Sequence, residues 1–325
     1  METVVLDMSV QNSYDKNLSF ATDLLTKGNI VAFPTETVYG LGGIISKEET
    51  FNQIYSLKGR PLDNPLIVHC STVEQLYSLC FSVSTVLKKL VSSFMPGPLT
   101  VVTKKAVGIP NYITSGLDTV ALRIPSNKVA LDLIERVGEP IAAPSANISG
   151  KPSPTAAKHV FDDFNGRIPL ILDDGQCEIG IESTVLFVED QFVSLLRPGT
   201  ISIEIIETVL QSKINIPTEK SVPTLSPGMK YRHYSPNAII TLVYTGKEAV
   251  IKAEKSSEKV MILLPEESSY IEDNYSNAFY YSEKNIYSLF RKADSENYSE
   301  IIIFVDQSTI EKMGLYNRIK KASSK

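Results

Sequence analysis

The chain has 325 residues, of which 43% are hydrophobic and 21% charged, enough apolar content to rule out wholesale disorder and to fill about two domains of ~150 residues. Its 32 Lys and Arg against 37 Asp and Glu give a net charge of −5, which argues against a bulk electrostatic grip on a nucleic-acid backbone. Three cysteines (Cys70, Cys80, Cys177) without a CxxC pair, beside three histidines, exclude a disulfide scaffold and speak against a Cys/His zinc site.

From the N-terminus, Glu2 and Asp7 stand where a secretory leader would carry basic residues before an apolar run, so no signal peptide is expected. No window approaches ~18 apolar residues, so no membrane span is expected and the reading is cytoplasmic. Apolar periodicity predicts a helix over 18–27, a strand over 29–34 and a helix over 48–57. A strand follows at 66–70, then a helix at 83–93 stopped by Pro96-Gly97-Pro98. Strands are expected at 100–104, 119–124, 140–143, 170–173, 183–188 and 192–197, with a closing helix at 203–211. Beyond residue 236 the composition changes: 15 of the 17 Gly and 17 of the 18 Pro lie in residues 1–236, and 8 of the 15 Tyr after them. Strands at 239–244, 260–264 and 301–305 alternate there with helices at 247–255, 286–292 and 316–321, the pattern of a small three-layer α/β domain. Between the two bodies, residues 213–236 hold Pro217, Pro223, Pro227 and Pro236, which favours an extended linker. The division is therefore 1–212, 213–236 and 237–325.

There is no P-loop, no GxGxxG, no GxSxG and no HExxH, so phosphates would have to be gripped by side chains rather than a glycine cradle. Four segments carry candidate chemistry. FPTETVYGLGG (33–43) is an apolar strand running into polar residues and glycines, or simply a strand and turn. In KGRPLDNPLIVH (58–69), Lys58 and Arg60 sit two apart in a stretch held by prolines. In extended chain both would point one way, suiting a polyanion; a solvated basic turn is the plainer reading. His69 ends an apolar run, where a core histidine is the ordinary outcome. In TVALRIP (119–125), Arg123 offers a planar fork for a carboxylate, or a structural ion pair. APSANISGKPS (143–153) places hydroxyl and amide groups beyond a buried strand, where ligands of open α/β sheets sit and where helix caps also occur.

In this order, with PGPLT (96–100), ESTV (182–185), LLRPG (195–199) and PGMKYRHYSP (227–236), these segments resemble the YrdC-type threonylcarbamoyl-AMP synthases, in the two-domain form with a C-terminal extension. Lys58-x-Arg60 and Ser145-x-Asn147 look like that family's KxR…SxN signature. The resemblance implies a twisted open mixed sheet with flanking helices, and an enzyme that condenses L-threonine, bicarbonate or CO2, and ATP into threonylcarbamoyl-AMP and diphosphate. That is the first step of threonylcarbamoyladenosine formation in tRNA. It also implies Mg²⁺ arriving with ATP, and delivery to a tRNA threonylcarbamoyltransferase complex without strong direct binding of tRNA. Lys58, Arg60, Ser145 and Asn147 would be catalytic. Asn64, Thr119, Ser153, Arg197 and Tyr234 would join them on ATP, with Arg197 among the phosphate-neutralising cations. Arg123 would take the threonine carboxylate as a bidentate pair. Thr35, Thr37, His69 and Ser183 would line the amino-acid pocket, with the Ala143 carbonyl near the amine. Tyr231-Arg232-His233-Tyr234 would fold back as a lid. Two other classes fit parts of the pattern: a tRNA or double-stranded RNA-binding module, disfavoured by the acidic balance, and a carbamoyltransferase-type module that uses carbamoyl phosphate.

Overall fold

The computed structural model describes residues 2–217, 234–256, 259–266 and 276–324. Ten strands of the first body form one mixed sheet: β1 (Val4–Asp7), β2 (Val31–Phe33), β3 (Gly40–Ile44), β4 (Ile67–His69), β5 (Leu99–Lys104), β6 (Thr119–Arg123), β7 (Ile141–Ala143), β8 (Leu170–Asp173), β9 (Thr184–Glu189) and β10 (Phe192–Arg197). Their spatial order is β1-β8-β2-β3-β7-β4-β6-β5-β9-β10. β4 and β6 run parallel, with His69 opposite Arg123. β4 and β7 run antiparallel, with Ile67 opposite Ala143.

Period-two alternation decides which side chains share a face. On one face, Phe33, Ile141, Ala143, Leu170 and Leu172 pack under the helices Gln11–Thr26 and Lys128–Val137. The same face continues across β4, β6, β5 and β9, but there only a small apolar group, including Ile67, Ala121, Val102 and Val185, lies on it. The two helices do not reach this far, and the resulting hollow is the cleft described below. The opposite face is covered by the main core, built around Phe51, Ile54, Leu90, Val101, Leu122 and Phe164.

Local chemistry sets the helix ends. Asn127 Oδ1 accepts from Ala130 N, and Gly138 ends that helix in the left-handed region at φ 77°. Thr72, Ser84 and Ser202 cap other starts in the same way. β3 is glycine-rich for want of space: a Cβ on Gly42 would lie 2.7 Å from Ile141 Cγ2, and one on Gly43 2.3 Å from Thr50 Cγ2.

The second body is a parallel four-stranded sheet of β11 (Ile239–Val243), β12 (Val260–Pro265), β13 (Ala278–Tyr281) and β14 (Glu300–Phe304), in the order β11-β14-β12-β13. β12 is buried throughout, as expected for a parallel strand covered on both sides. Val260, Ile262 and Leu264 pack with Ala249 of helix Gly246–Lys255. Met261 and Leu263 face the other way, toward helices Ile286–Ser295 and Met313–Ser323. That second core also takes in Val38 and Ile181 of the first body, so the apolar packing is continuous across the junction. Two glycines remove the side chains between facing backbones there: a Cβ on Gly314 would lie 2.6 Å from the Gly199 carbonyl, and one on Gly180 2.5 Å from the Glu283 and Lys284 carbonyls.

The elements depart from expectation in several places. The first helix starts at Gln11, not 18. β1, β3 and β13, and the helices Lys128–Val137 and Ala157–Phe164, were not foreseen. The expected lid residues Tyr231, Arg232 and His233 lie outside the described residues, while Tyr234 lies within them. Among the described residues no helix is long and apolar enough to cross a membrane, and Cys70, Cys80 and Cys177 are buried, unbridged thiols.

Candidate active site

The hollow on the sheet opens into a cleft of about 670 Å³. Of the residues singled out from the sequence, Thr35, Thr37, Arg60, His69, Arg123, Ala143, Ser145, Asn147, Ser153, Ser183, Arg197 and Tyr234 line it. Segments 112 residues apart, such as those carrying His69 and Ile181–Ser183, meet here because β4, β6, β5 and β9 are neighbours in the sheet.

Lys58, Asn64 and Thr119 do not line the cleft. The extended geometry expected for Lys58 and Arg60 is also wrong. Lys58 is the last residue of helix Glu48–Lys58, and Gly59 caps it in the left-handed region at φ 60°. The chain therefore reverses between the two cations and sends them apart. Arg60, half-buried, enters the cleft and is anchored by Nε to the Asn64 carbonyl at 3.2 Å and Nη2 to the Pro65 carbonyl at 2.9 Å. Lys58 turns inward, where Nζ donates to the carbonyls of Ser145, at 2.6 Å, and Asn147. Ser149 N in turn donates to the Lys58 carbonyl. Burial, then the nearby Arg60 charge, push the Lys58 ammonium well below its ordinary pKa. Lys58 braces the loop in which Ser145 Oγ donates to Asn147 Oδ1 at 2.5 Å and Asn147 Nδ2 donates to the Ile148 and Lys151 carbonyls. Asn64 acts through its carbonyl, on Arg60 and Tyr55. Thr119 shares the Arg123 face of β6 but sits four residues away, its buried hydroxyl without a hydrogen-bond partner.

At one end of the cleft Arg123, 3% exposed, donates from Nε to the Gly97 carbonyl at 3.2 Å. Its Nη2 lies 2.8 Å from Glu36 Oε1, an ion pair without hydrogen-bond alignment. Both readings of Arg123 thus have a part in the structure: the fork borders the cleft, and it is partly engaged within the protein. Both Glu36 oxygens, Arg123 Nη2 and His69 Nδ1 are buried without a hydrogen bond. Orphaned groups of this kind are costly and mark places where a polar ligand completes the structure. Burial first, and Arg123 second, push the His69 imidazole down to about 3, so the ring is neutral at ordinary pH. It packs edge-on to Phe33 at 6.0 Å. Thr35 Oγ1 meets Thr37 Oγ1 at 2.9 Å, and Ser183 Oγ meets Thr100 Oγ1 at 2.8 Å.

At the other end Arg197 Nε and Nη2 donate to the Ser183 carbonyl, and Nη2 also to Ser183 Oγ. Ser153 Oγ donates to Glu182 Oε1 at 2.5 Å. Glu182 Oε2 accepts from Arg318 Nε at 2.7 Å and from the Tyr287 hydroxyl at 3.0 Å, both in the second body. Burial pushes the Glu182 carboxyl up, but the Arg318 and Arg197 charges and the Ser153 and Arg318 hydrogen bonds outweigh it and hold it at about 2. Tyr234 stacks on Tyr287 at 5.4 Å and hydrogen-bonds Arg197. Glu36, Lys151 and Glu182 were not singled out from the sequence as site residues, nor were Tyr287 and Arg318. Glu36 and Glu182, as charges inside otherwise apolar or hydroxyl-rich motifs, carried a usable signal. Tyr287 and Arg318 carried none.

The Sua5–YciO–YrdC family model, described as telomere recombination, matches residues 23–199, more than half of the chain. A second model, described as threonylcarbamoyl-AMP synthase, C-terminal domain, matches residues 201–324. The threonylcarbamoyl-AMP synthase of Pyrococcus abyssi is 41% identical over 94% of each chain. That of Bacillus subtilis is 43% identical over 78% of this chain and 76% of its own. A crystal structure of P. abyssi Sua5 complexed with L-threonine superposes with a TM-score of 0.88 at 38% identity, covering 99% of this chain and 98% of that one. Two family models that between them match residues 23–199 and 201–324, with relatives matched over three quarters or more of each chain, show that the chain belongs to the threonylcarbamoyl-AMP synthases of the Sua5/YrdC family, in their two-domain form.

Proposed function

We propose that the cleft binds L-threonine at its Arg123–His69 end and the ATP phosphates at its Arg60–Arg197 end, and joins them through a carbamate. The observation that carries this reading is the convergence of Arg60, Arg123 and Arg197, from three separate segments, on one cleft that also holds the neutral His69. Such a site suits two anionic groups, a carboxylate and a polyphosphate, rather than a long nucleic-acid backbone.

In the reaction, bicarbonate takes up a proton and loses water to give CO2. The neutral amine of threonine adds to that CO2, and the proton the amine then loses replaces the one bicarbonate consumed, leaving the carbamate. A carbamate oxygen then attacks the α-phosphorus of ATP. The bond to the bridging oxygen breaks, and diphosphate leaves with the electron pair. Such transfers depend chiefly on positioning and charge neutralisation. Arg123 orients the carboxylate while Glu36 holds one end of the guanidinium, at Nη2. Thr35, Thr37 and Ser183 offer partners for the hydroxyl and amine, with the Ala143 carbonyl beside them. Arg60 and Arg197 face the phosphates, Ser145, Asn147 and Ser153 supply hydrogen bonds, and Lys58 keeps their loop in place. Asn64 serves the nucleotide end by anchoring Arg60, while Thr119 stays outside the cleft lining. Mg²⁺ would enter as part of the nucleotide substrate, held chiefly by phosphate oxygens and water, as this ion commonly is.

On this reading residues 1–212 are catalytic, 213–236 are the linker, of which 218–233 lie outside the described residues, and 237–325 form the docked domain. The enzyme works in the reducing cytoplasm, where buried unbridged thiols are at home, and hands its product to a tRNA-modifying transferase. Incubation with ATP, Mg²⁺, bicarbonate and L-threonine, followed by mass spectrometry, should yield threonylcarbamoyl-AMP and none when threonine is omitted. Diphosphate release without that adduct would overturn the acceptor. ATP binding with no turnover would return the chain to the binding-module class.

A further inference from the structure

Two arginines of the second body each reach a buried carboxylate of the first, and each carboxylate is shared with a group that borders the cleft. Arg318, fully buried, meets Glu182 at 2.7 Å. Glu182 also holds Ser153 and lies within electrostatic reach of Arg197. Arg291 Nη2 meets Asp163 Oδ2 at 2.8 Å and also donates to the Pro152 carbonyl, next to Ser153. The other Asp163 oxygen, Oδ1, lies 3.1 Å from Lys151 Nζ, and Lys151 lines the cleft.

A buried carboxylate must be neutralised by something. The cluster of Glu182, Arg197 and Arg318 carries a net positive charge. Without Arg318, Glu182 would have Arg197 as its remaining nearby cation, and the pair would be neutral. The same reasoning holds for Asp163, Lys151 and Arg291. Docking of the second body therefore sets the charge of the cleft, beyond closing its wall.

We propose that the C-terminal domain is an electrostatic part of the active site: Arg318 and Arg291 take up the charges of Glu182 and Asp163, so that Arg197 and Lys151 present theirs to the phosphates of the nucleotide. Arg318 and Arg291 are positioning residues, since they act through the carboxylates. Lys151 becomes a further phosphate-binding residue. This rests on the nucleotide reading given above.

The test is calorimetric titration of the full chain with ATP, adenosine and L-threonine, comparing wild type, Arg318→Met, and Arg318→Met combined with Glu182→Gln. Arg318→Met should weaken ATP about tenfold, a size in keeping with one charge a few ångströms away at moderate screening. Adenosine and threonine should stay within about twofold, because neither carries phosphate. Adding Glu182→Gln should recover most of the loss, the coupling that a double-mutant cycle reads. Unchanged ATP affinity in Arg318→Met would overturn the proposal. So would a double variant as weak as the single one, which would make Arg318 a docking contact alone. Should Arg318→Met fail to fold, Arg291→Met, at a partly exposed position, with and without Asp163→Asn, reads the second arm. There a threefold loss confined to ATP and recovered in the pair is expected, and no loss overturns the proposal. Wild-type protein that binds adenosine and threonine but not ATP would defeat the phosphate reading itself, and this proposal with it.

Discussion

The two ends of the cleft are built by opposite means. At the Arg123 end every group comes from the first body, and four buried polar atoms of Glu36, Arg123 and His69 make no hydrogen bond. At the Arg197 end the polar groups are cross-linked: Glu182 alone accepts from Ser153, Tyr287 and Arg318. One end is laid down by the sheet and left for a ligand to complete. The other is completed by a neighbouring domain. A small amino acid can be held by a rigid pocket, whereas a triphosphate needs a charged wall whose sign depends on what docks against it.

The strongest way to break this contrast is Arg123→Ala. It should cost threonine about a hundredfold in affinity, since the cavity then holds an uncompensated Glu36. ATP should change by less than about threefold. Calorimetry with both ligands checks it, and equal losses would mean the two ends are not separate. Gly180→Ala probes the opposite end. Gly180 has φ +90°, and a Cβ there would strike the Glu283 and Lys284 carbonyls at 2.5 Å, so docking should weaken by about 2 kcal/mol. ATP affinity should fall about tenfold with threonine binding preserved, and thermal unfolding should show the second body melting earlier.

The smallest effect is on pH. His69 is held down to about 3 from 6.5, so the unfolded chain takes up the proton first as pH falls. Its neutral burial therefore costs nothing above pH 6.5, and stability declines from there toward pH 3. Glu182, held at about 2 against 4.5, adds a loss below pH 4.5. His69→Gln should flatten the upper part of this decline, read as the midpoint of thermal unfolding at pH 7, 6 and 5. Threonine affinity in the wild type should show no inflection near pH 6.5. An inflection there would mean the ring titrates and the pocket is wetter than its burial implies.

Much of this architecture was legible in the residues. Continuous apolar runs announced β2, β12 and β14, because strands buried on both faces need no alternation. β3, GLGGI, was hidden because its glycines answer to Thr50, Phe33 and Ile141, residues that proximity in sequence does not reveal. The helix Lys128–Val137 had both a cap at Asn127 and an αL stop at Gly138, and the signal was there to be read. In the site, the family motifs carried most of the cleft lining, but not its internal logic. Lys58 and Arg60 stand two apart in the motif and part at Gly59, a reversal that only the backbone dihedral decides. Arg318 and Glu182 are separated by 136 residues, and neither has a local pattern that names the other.

The contact of Gly199 with Gly314 has a further consequence. Backbone lies against backbone there, so the spacing of the two bodies is set by peptide groups and has no side-chain slack to absorb error. A chimera that joins this catalytic body to a relative's C-terminal body can therefore vary its linker in length and composition. It must keep glycine at 314, where a Cβ would press on the Gly199 backbone and push the two bodies apart; at Gly199 a Cβ would instead strike Ser183 and Thr184 within the first body.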